Sequence, residues 1–228
     1  VRKPLLVIVS VVLLTSGCAT SVTGSPVAGP APASTPVTTS SGSAGACKYS
    51  DDTSPGAAKP FGKPDPDPDR SPSTITLATN KGALTIQLDP AQGPCSVQSL
   101  RFLTAKKFYD GSSCHRLTTN PSLGVLQCGD PTGTGTGTPG YQFDDKLPVR
   151  GAYQRGVVAM ANAGPGTNGS QFFIVHGSAQ INPDYPVVGK VTAGMEIVDQ
   201  IVAGGVKGGS EDGTPATPLS ITTATEKK

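Results

Sequence analysis

The chain has 228 residues, with 29 Gly, 22 Pro, no Trp and only 15% charged residues. That length gives one ordinary domain with additional segments, and this much Pro and Gly without a collagen repeat marks part of it as low-complexity. The 18 Lys+Arg against 16 Asp+Glu leave a net charge of +2, too weak a bias to point to nucleic acid or an anionic lipid surface.

Arg2 and Lys3 precede an aliphatic run over 5–14, broken only by Ser10. The run is too short to span a bilayer, which takes about 20 residues, but it fits the apolar core of a secretory signal peptide. Leu14-Thr15-Ser16-Gly17-Cys18 follows. Small residues just before a Cys resemble a bacterial lipobox, although Thr15 stands where an aliphatic residue is commonest. Residues 1–17 are therefore expected to be removed and Cys18 lipidated, placing the protein on the extracytoplasmic face of the cell membrane. Acyl chains contribute about 0.8 kcal/mol per buried CH₂, so several on one Cys anchor stably. The alternative is an ordinary signal peptide and a secreted protein, with Cys18 incidental.

Residues 18–73 are rich in Pro, Ser, Thr, Gly and Ala, with 10 prolines and, as large apolar residues, little beyond Tyr49 and Phe61. Such a segment buries too little surface to offset its ordering entropy and reads as a tether. Cys47, beside Tyr49, suggests that its second half is stapled back onto the domain.

The domain is expected over 74–225. Residues 73–78 and 83–88 alternate apolar and polar around Asn80-Lys81-Gly82, a β-hairpin pattern. Pro94 precedes 96–107, where Val97, Leu100, Phe102, Leu103 and Phe108 give a helical face, with Ser96 as the N-cap. Strands are expected at 114–117, 124–130 and 156–160, then at 172–175 after the Gly/Pro/Asn-rich stretch beginning at Ala161. Further strands follow at 185–191 and 218–222, with a helix over 196–203. Residues 132–140 read as a Gly/Thr-rich loop, which lacks the Lys-Ser/Thr of a phosphate-binding loop. His176 reads as an incidental loop residue. Many short strands and two helices imply a mainly β fold, an antiparallel barrel.

Several motifs carry chemistry together: His115-Arg116, Gln127, Gly129-Asp130, Ala161-Asn162-Ala163-Gly164-Pro165 and Thr167-Asn168-Gly169-Ser170-Gln171-Phe172-Phe173-Ile174. With Lys81-Gly82, Phe108-Tyr109-Asp110-Gly111 and Val188-Gly189-Lys190-Val191, they resemble the cyclophilins and fall in that family's order. The form most similar is an exported bacterial lipoprotein, of the kind found in actinobacteria. The resemblance implies a closed eight-stranded antiparallel barrel with two capping helices. It also implies peptidyl-prolyl cis-trans isomerase (rotamase) activity in protein folding, with no metal or cofactor.

The implied roles have a physical basis. An X–Pro bond rotates over about 18–20 kcal/mol because the amide is conjugated. Rotation returns a lone pair to the prolyl nitrogen, so a fixed donor there favours the twisted state over both planar ones. Arg116, always charged, is the candidate. The resemblance makes Phe173 the floor of a proline pocket, with Val125, Ile181 and Leu123 or Gly124 as walls. It makes Gln127 the partner that orients Arg116 or the substrate carbonyl, and the backbone of Asn162, beside Ala161, the clamp on the preceding residue. His115, Gln171 and Tyr185 complete the groove, Tyr185 standing where the family usually has His. Alternation sends Phe172 into the barrel and Phe173 to the pocket.

Apart from Cys18, the cysteines are Cys47, Cys95, Cys114 and Cys128, an even set that suggests two disulfides in an exported protein. Cys114 with Cys128 and Cys95 with Cys114 are both arguable, and a zinc site using these thiols and His115 is the runner-up. The segment 117–126 is a few residues longer than the family's commonest spacing, and 118–122 is expected to bulge at the groove rim. Without Trp, and with Gln180 near the family's usual Trp position, binding of cyclosporin-type cyclic peptides is expected to be weak. The expected partners are proline-containing peptides and unfolded exported proteins, met by a monomer. The rival reading is a non-catalytic module that holds proline-containing segments.

Overall fold

Apolar residues at every second position need a sheet with one covered face, and the chain supplies enough of them to close that sheet on itself. The computed structural model describes residues 45–58 and 62–228. The expected signal peptide, the lipobox-like segment with Cys18 and the first part of the expected tether lie outside the described residues. The elements run β1 (Tyr49–Asp51), β2 (Thr74–Thr79), β3 (Gly82–Leu88), α1 (Pro94–Ala105), β4 (Arg116–Thr118), β5 (Leu123–Cys128), β6 (Tyr141–Phe143) and β7 (Val157–Met160). They continue with β8 (Phe172–Ala179), β9 (Val187–Ala193), α2 (Met195–Gly204), β10 (Asp212–Gly213) and β11 (Ile221–Lys227).

Nine strands form one antiparallel sheet in the order β10-β4-β5-β8-β7-β9-β3-β2-β11. Leaving aside the two-residue β10, the remaining eight curl into a barrel. Its edges meet just before β4 and at the start of β11, where Ser113 bridges Ser220. There the Cys114 N–H donates to the Leu219 carbonyl at 2.9 Å and the Ile221 N–H to the Ser112 carbonyl at 2.8 Å. Closure of this kind leaves few unpaired backbone groups along the edges.

Register decides which side chains go inside. Leu117 pairs with Leu126, Leu126 with Ile174, and Ile174 with Val158. All four are fully buried in the central core. Burying such a side chain contributes about 1.5–3 kcal/mol. Helix α1 packs on β11 and β9, and α2 on β3 and β8. Pro94 opens α1, where its missing N–H costs nothing. Ser96, expected as the N-cap, is already inside the helix. Gly93 takes the cap position without a side-chain bond, and the Ser96 N–H donates instead to the Asp145 carboxylate at 2.6 Å. Burial, working against these hydrogen bonds, raises the Asp145 pKa.

The described unit reaches upstream of residue 74, across residues expected to belong to the tether. Cys47 is bonded to Cys95, and Cys114 to Cys128. With all four thiols paired, none is left for zinc. Strand β1 pairs antiparallel with β6, Tyr49 opposite Phe143, and the Tyr49 ring meets Tyr141 and Phe143 edge-on at 5.5 and 5.2 Å. Further along, Arg101, only 6% exposed in its side chain, donates to the carbonyls of Asp69 and Ser71 and to the Ser73 hydroxyl. Glu226 lies 3.0 Å from its Nε. One buried guanidinium therefore ties 69–73 and the end of β11 to α1.

Replacing Cys47 and Cys95 together by Ser should lower the unfolding free energy by about 2–4 kcal/mol, as expected for opening a covalent loop of this length. Urea unfolding of the oxidised proteins measures the difference.

Candidate active site

The same register that fills the barrel builds a second row on its outer face. Arg116 lies opposite Gln127, Gln127 opposite Phe173, Phe173 opposite Ala159, and Ala159 opposite Val187. Directly paired residues share a face. A charged fork, an amide, an aromatic ring and two small apolar side chains thus lie in line across β4, β5, β8, β7 and β9. Val125 and Val175, two positions along from Gln127 and Phe173, face the same way and join Phe173, Ala159, Val187 and Tyr153 in an apolar cluster separate from the central core. Phe172, the neighbour of Phe173, belongs to the central core instead.

At one end of this row the Arg116 guanidinium is held on two sides. Its Nε and Nη2 donate to the two carboxylate oxygens of Asp212 at 2.8 and 2.7 Å, and its Nη1 donates to Gln127 Oε1 at 3.1 Å. Asp212 reaches this position because β10 pairs with β4, placing it opposite Thr118. The Asp212 hydrogen bonds push the Arg116 pKa further up against the effect of burial, and the Arg116 hydrogen bond lowers that of Asp212. Gln127 in turn donates from Nε2 to Gln171 Oε1 at 2.8 Å. Gln171 donates to the carbonyls of Gly135 and Gly137 at 3.1 and 2.9 Å. Those carbonyls belong to the Gly/Thr-rich loop, which the buried Asp130 gathers by accepting from Thr132 and from the Gly135 N–H.

A cavity of about 200 Å³ opens beside Arg116, lined by Arg116, Leu123, Val125, Gln127, Ala161, Asn162, Phe173, Ile181 and Tyr185. Phe173 sits in a trio of rings, 5.7 Å from Tyr185 and 6.0 Å from Tyr153. The Tyr153 hydroxyl donates to the Tyr185 carbonyl at 2.9 Å and accepts from the Tyr185 N–H at 3.0 Å. Burial pushes its pKa up to about 12, so it stays a donor. Asn162 uses its side chain within the chain, donating to Asn168 Oδ1 and the Asp184 carbonyl and accepting from the Gly164 N–H. Its backbone N–H and carbonyl make no hydrogen bond among the described residues.

The wall expected from Leu123 or Gly124 is Leu123. A Cβ at Gly124 would lie 3.0 Å from the His176 ring and 3.2 Å from the Gly177 backbone, so any larger residue there would press on β8 where β5 approaches it. The longer segment is taken up by a turn in which Thr118 Oγ1 donates to the Leu123 carbonyl at 2.6 Å and accepts from the Val125 N–H at 3.0 Å. His176, expected in a loop, lies in β8 and meets the Thr118 carbonyl through Nε2 at 2.9 Å. Gln171 lines a neighbouring larger cavity. His115 lines neither cavity; its ring lies toward Gly135, with no hydrogen-bond partner for either nitrogen.

The Cyclophilin type peptidyl-prolyl cis-trans isomerase/CLD family model matches residues 74–226. The chain belongs to the cyclophilin family. It is 46% identical over 162 residues to the probable peptidyl-prolyl cis-trans isomerase B of Mycobacterium tuberculosis strain H37Rv, covering 65% of this chain and 53% of that protein. It is 40% identical over 147 residues to the peptidyl-prolyl cis-trans isomerase B of Streptomyces anulatus, covering 56% of this chain and 82% of that one. The chain thus spans about half the length of the mycobacterial relatives it matches. A crystal structure of a Cryptosporidium parvum cyclophilin type peptidyl-prolyl cis-trans isomerase superimposes with a TM-score of 0.60 at 30% identity, covering 69% of this chain and 99% of that one.

Two members of this cyclophilin's site had no sequence signal. Asp212 is 96 residues from Arg116 and sits in a two-residue strand. Tyr153 lies in irregular chain, outside any alternating run.

The two histidines define an acid sensitivity. Burial lowers both pKa values from the ordinary 6.5; near His115, Asp130 opposes this and Arg116 adds to it, while the Thr118 bond opposes it at His176. The unfolded chain takes up these protons near pH 6.5, and the folded chain only at lower pH. The stability they carry is therefore full above that value and is lost as pH falls through the lowered pKa values. Thermal unfolding at pH 7 and pH 5 should show a larger drop for the native chain than for the His115→Gln, His176→Gln double variant.

Proposed function

We propose that the chain is a peptidyl-prolyl cis-trans isomerase acting on exported polypeptides, and that Arg116 stabilises the twisted X–Pro amide. The observation that carries this is the joining of an apolar cavity floored by Phe173 to a charged guanidinium fixed at its rim. A related cyclophilin has been crystallised in the presence of the dipeptide ala-pro, and the same chemistry is proposed here. The proline ring lies on Phe173 between Val125, Leu123 and Ile181. The backbone of Asn162 pairs with the residue before it. Three of the five N–H donors of Arg116 are committed to Asp212 and Gln127, which leaves two for the substrate.

As the amide twists, the prolyl nitrogen regains its lone pair and becomes an acceptor. A donor already in place gains that bond only in the twisted state. A charge-assisted hydrogen bond contributes about 1.5–3 kcal/mol, and each 1.4 kcal/mol is about tenfold in rate. No covalent step is required. The Asp212 carboxylate keeps the fork from swinging away, and Gln127 fixes its other edge.

The two disulfides support an oxidising compartment, and the lipobox-like Cys18 supports a membrane anchor there. Cyclosporin-type cyclic peptides are proposed to bind weakly, and the protein to act as a monomer.

Arg116→Ala should lower kcat/KM for an Ala-Pro peptide by about ten- to a hundredfold, with peptide binding retained; exchange NMR reads both. Binding without acceleration by the native chain would make it a proline-segment binding module instead. Cys18→Ser should move the protein from the membrane fraction to the soluble one, seen by fractionation of cells; no change would remove the anchor from the account.

A further inference from the structure

The family match begins at residue 74, yet residues upstream of it form a wall beside the site. The arm that follows Cys47 is tied down along its length. Besides the disulfide, the Tyr49 hydroxyl donates to the Cys95 carbonyl at 3.0 Å, and β1 runs along β6. The Asp52 N–H then donates to the Gly140 carbonyl at 3.1 Å, the Thr138 N–H to Gly56 at 3.1 Å, and the Ala58 N–H to Thr138 at 2.9 Å. This places Asp52 and Ser54 on the wall of a cavity of about 420 Å³, with Gly135, Thr136 and Gln171 also contributing.

That cavity and the smaller one share Gln127, Ala161 and Asn162. A polypeptide with its proline over Phe173 and its backbone on Asn162 therefore continues past the larger cavity. Asp52 is the one charged residue among those lining it, and no ion pair among the described residues involves Asp52. Its carboxylate is aimed by two donors, the Ser54 N–H at 2.9 Å and the Thr138 hydroxyl at 2.6 Å. Partial burial acts to raise its pKa, but these bonds outweigh it and hold the pKa below the usual carboxylate range. Each oxygen keeps room for a further donor.

Taking the larger cavity as the one that a side chain flanking the proline enters, we propose that Asp52, on the upstream arm, makes this position selective for Lys or Arg. The inference rests on the isomerase reading for the placement of the proline. It assigns to the upstream arm a part in choosing substrates. In an envelope isomerase this would favour basic stretches of client chains.

The test uses the disulfide-bonded protein and peptides that carry Lys, Gln or Glu at each position flanking Ala-Pro. At one position Lys should exceed Gln in kcat/KM by about two- to fivefold, the range of a partly exposed ion pair, and Glu should fall below Gln. The preference should vanish in Asp52→Asn, turn toward Glu in Asp52→Lys, and shrink in the native chain as salt is raised to about 1 M. Equal rates for Lys, Gln and Glu at every position, or a Lys preference that survives Asp52→Asn, would overturn the proposal. Should the variants loosen the arm, the salt series on the native chain decides alone: a preference indifferent to salt overturns it. If no peptide is isomerised at all, the isomerase reading fails, and the affinities of the Lys and Gln peptides still report on Asp52.

Discussion

Strand register is the constraint on which the rest depends. Pairing Arg116 with Gln127, Gln127 with Phe173 and Phe173 with Ala159 sets the site in one row. It sets Leu117, Leu126, Ile174 and Val158 in the core row beneath. A slip of one residue in β5 or β8 would exchange the two. Core and site are thus specified by one pattern, and the apolar energy that closes the barrel also holds the site in place. The turn at Thr118 and the close approach at Gly124 protect that register where β5 begins.

On this frame the polar groups form a chain rather than a set of pairs. Asp212 holds Arg116, Arg116 holds Gln127, Gln127 holds Gln171, and Gln171 holds the loop that Asp130 gathers. Each link restricts the rotamers of the next, so the fork is held before a substrate arrives. On the proposed reading, this is preorganisation of a charge for an acceptor that exists only in the twisted amide. The apolar side is similarly braced, since Tyr153 locks the backbone of Tyr185 while both rings pack against Phe173.

Much of this was legible in the sequence. The hairpin of β2 and β3 follows from alternation around a Gly turn, and the residues that line the smaller cavity were all named from the family resemblance: they lie in β4, β5 and β8, at Ala161-Asn162, and at Ile181 and Tyr185 in the chain before β9. What was hidden came from short or remote elements. Strand β1 has three residues within a Pro-rich stretch, and β10 has two, too few to show a period. Asp145 serves helix α1 from 49 residues away and Asp212 serves Arg116 from 96, and no local pattern announces such partners. His115 shows the reverse: adjacency to Arg116 suggested the groove, while its ring lies toward Gly135 and leaves both nitrogens unpartnered. Sequence neighbours in extended chain point apart.

The arm extends the same logic beyond the matched domain. A segment with too little apolar surface to fold alone is ordered by one disulfide, one tyrosine ring and a short ladder. The central claim is that Arg116 acts as a fork positioned by Gln127, and a double-mutant cycle on kcat/KM tests it most directly. The account predicts that Gln127→Ala costs activity in the native background and almost nothing once Arg116 is Ala. Equal losses in both backgrounds would contradict it.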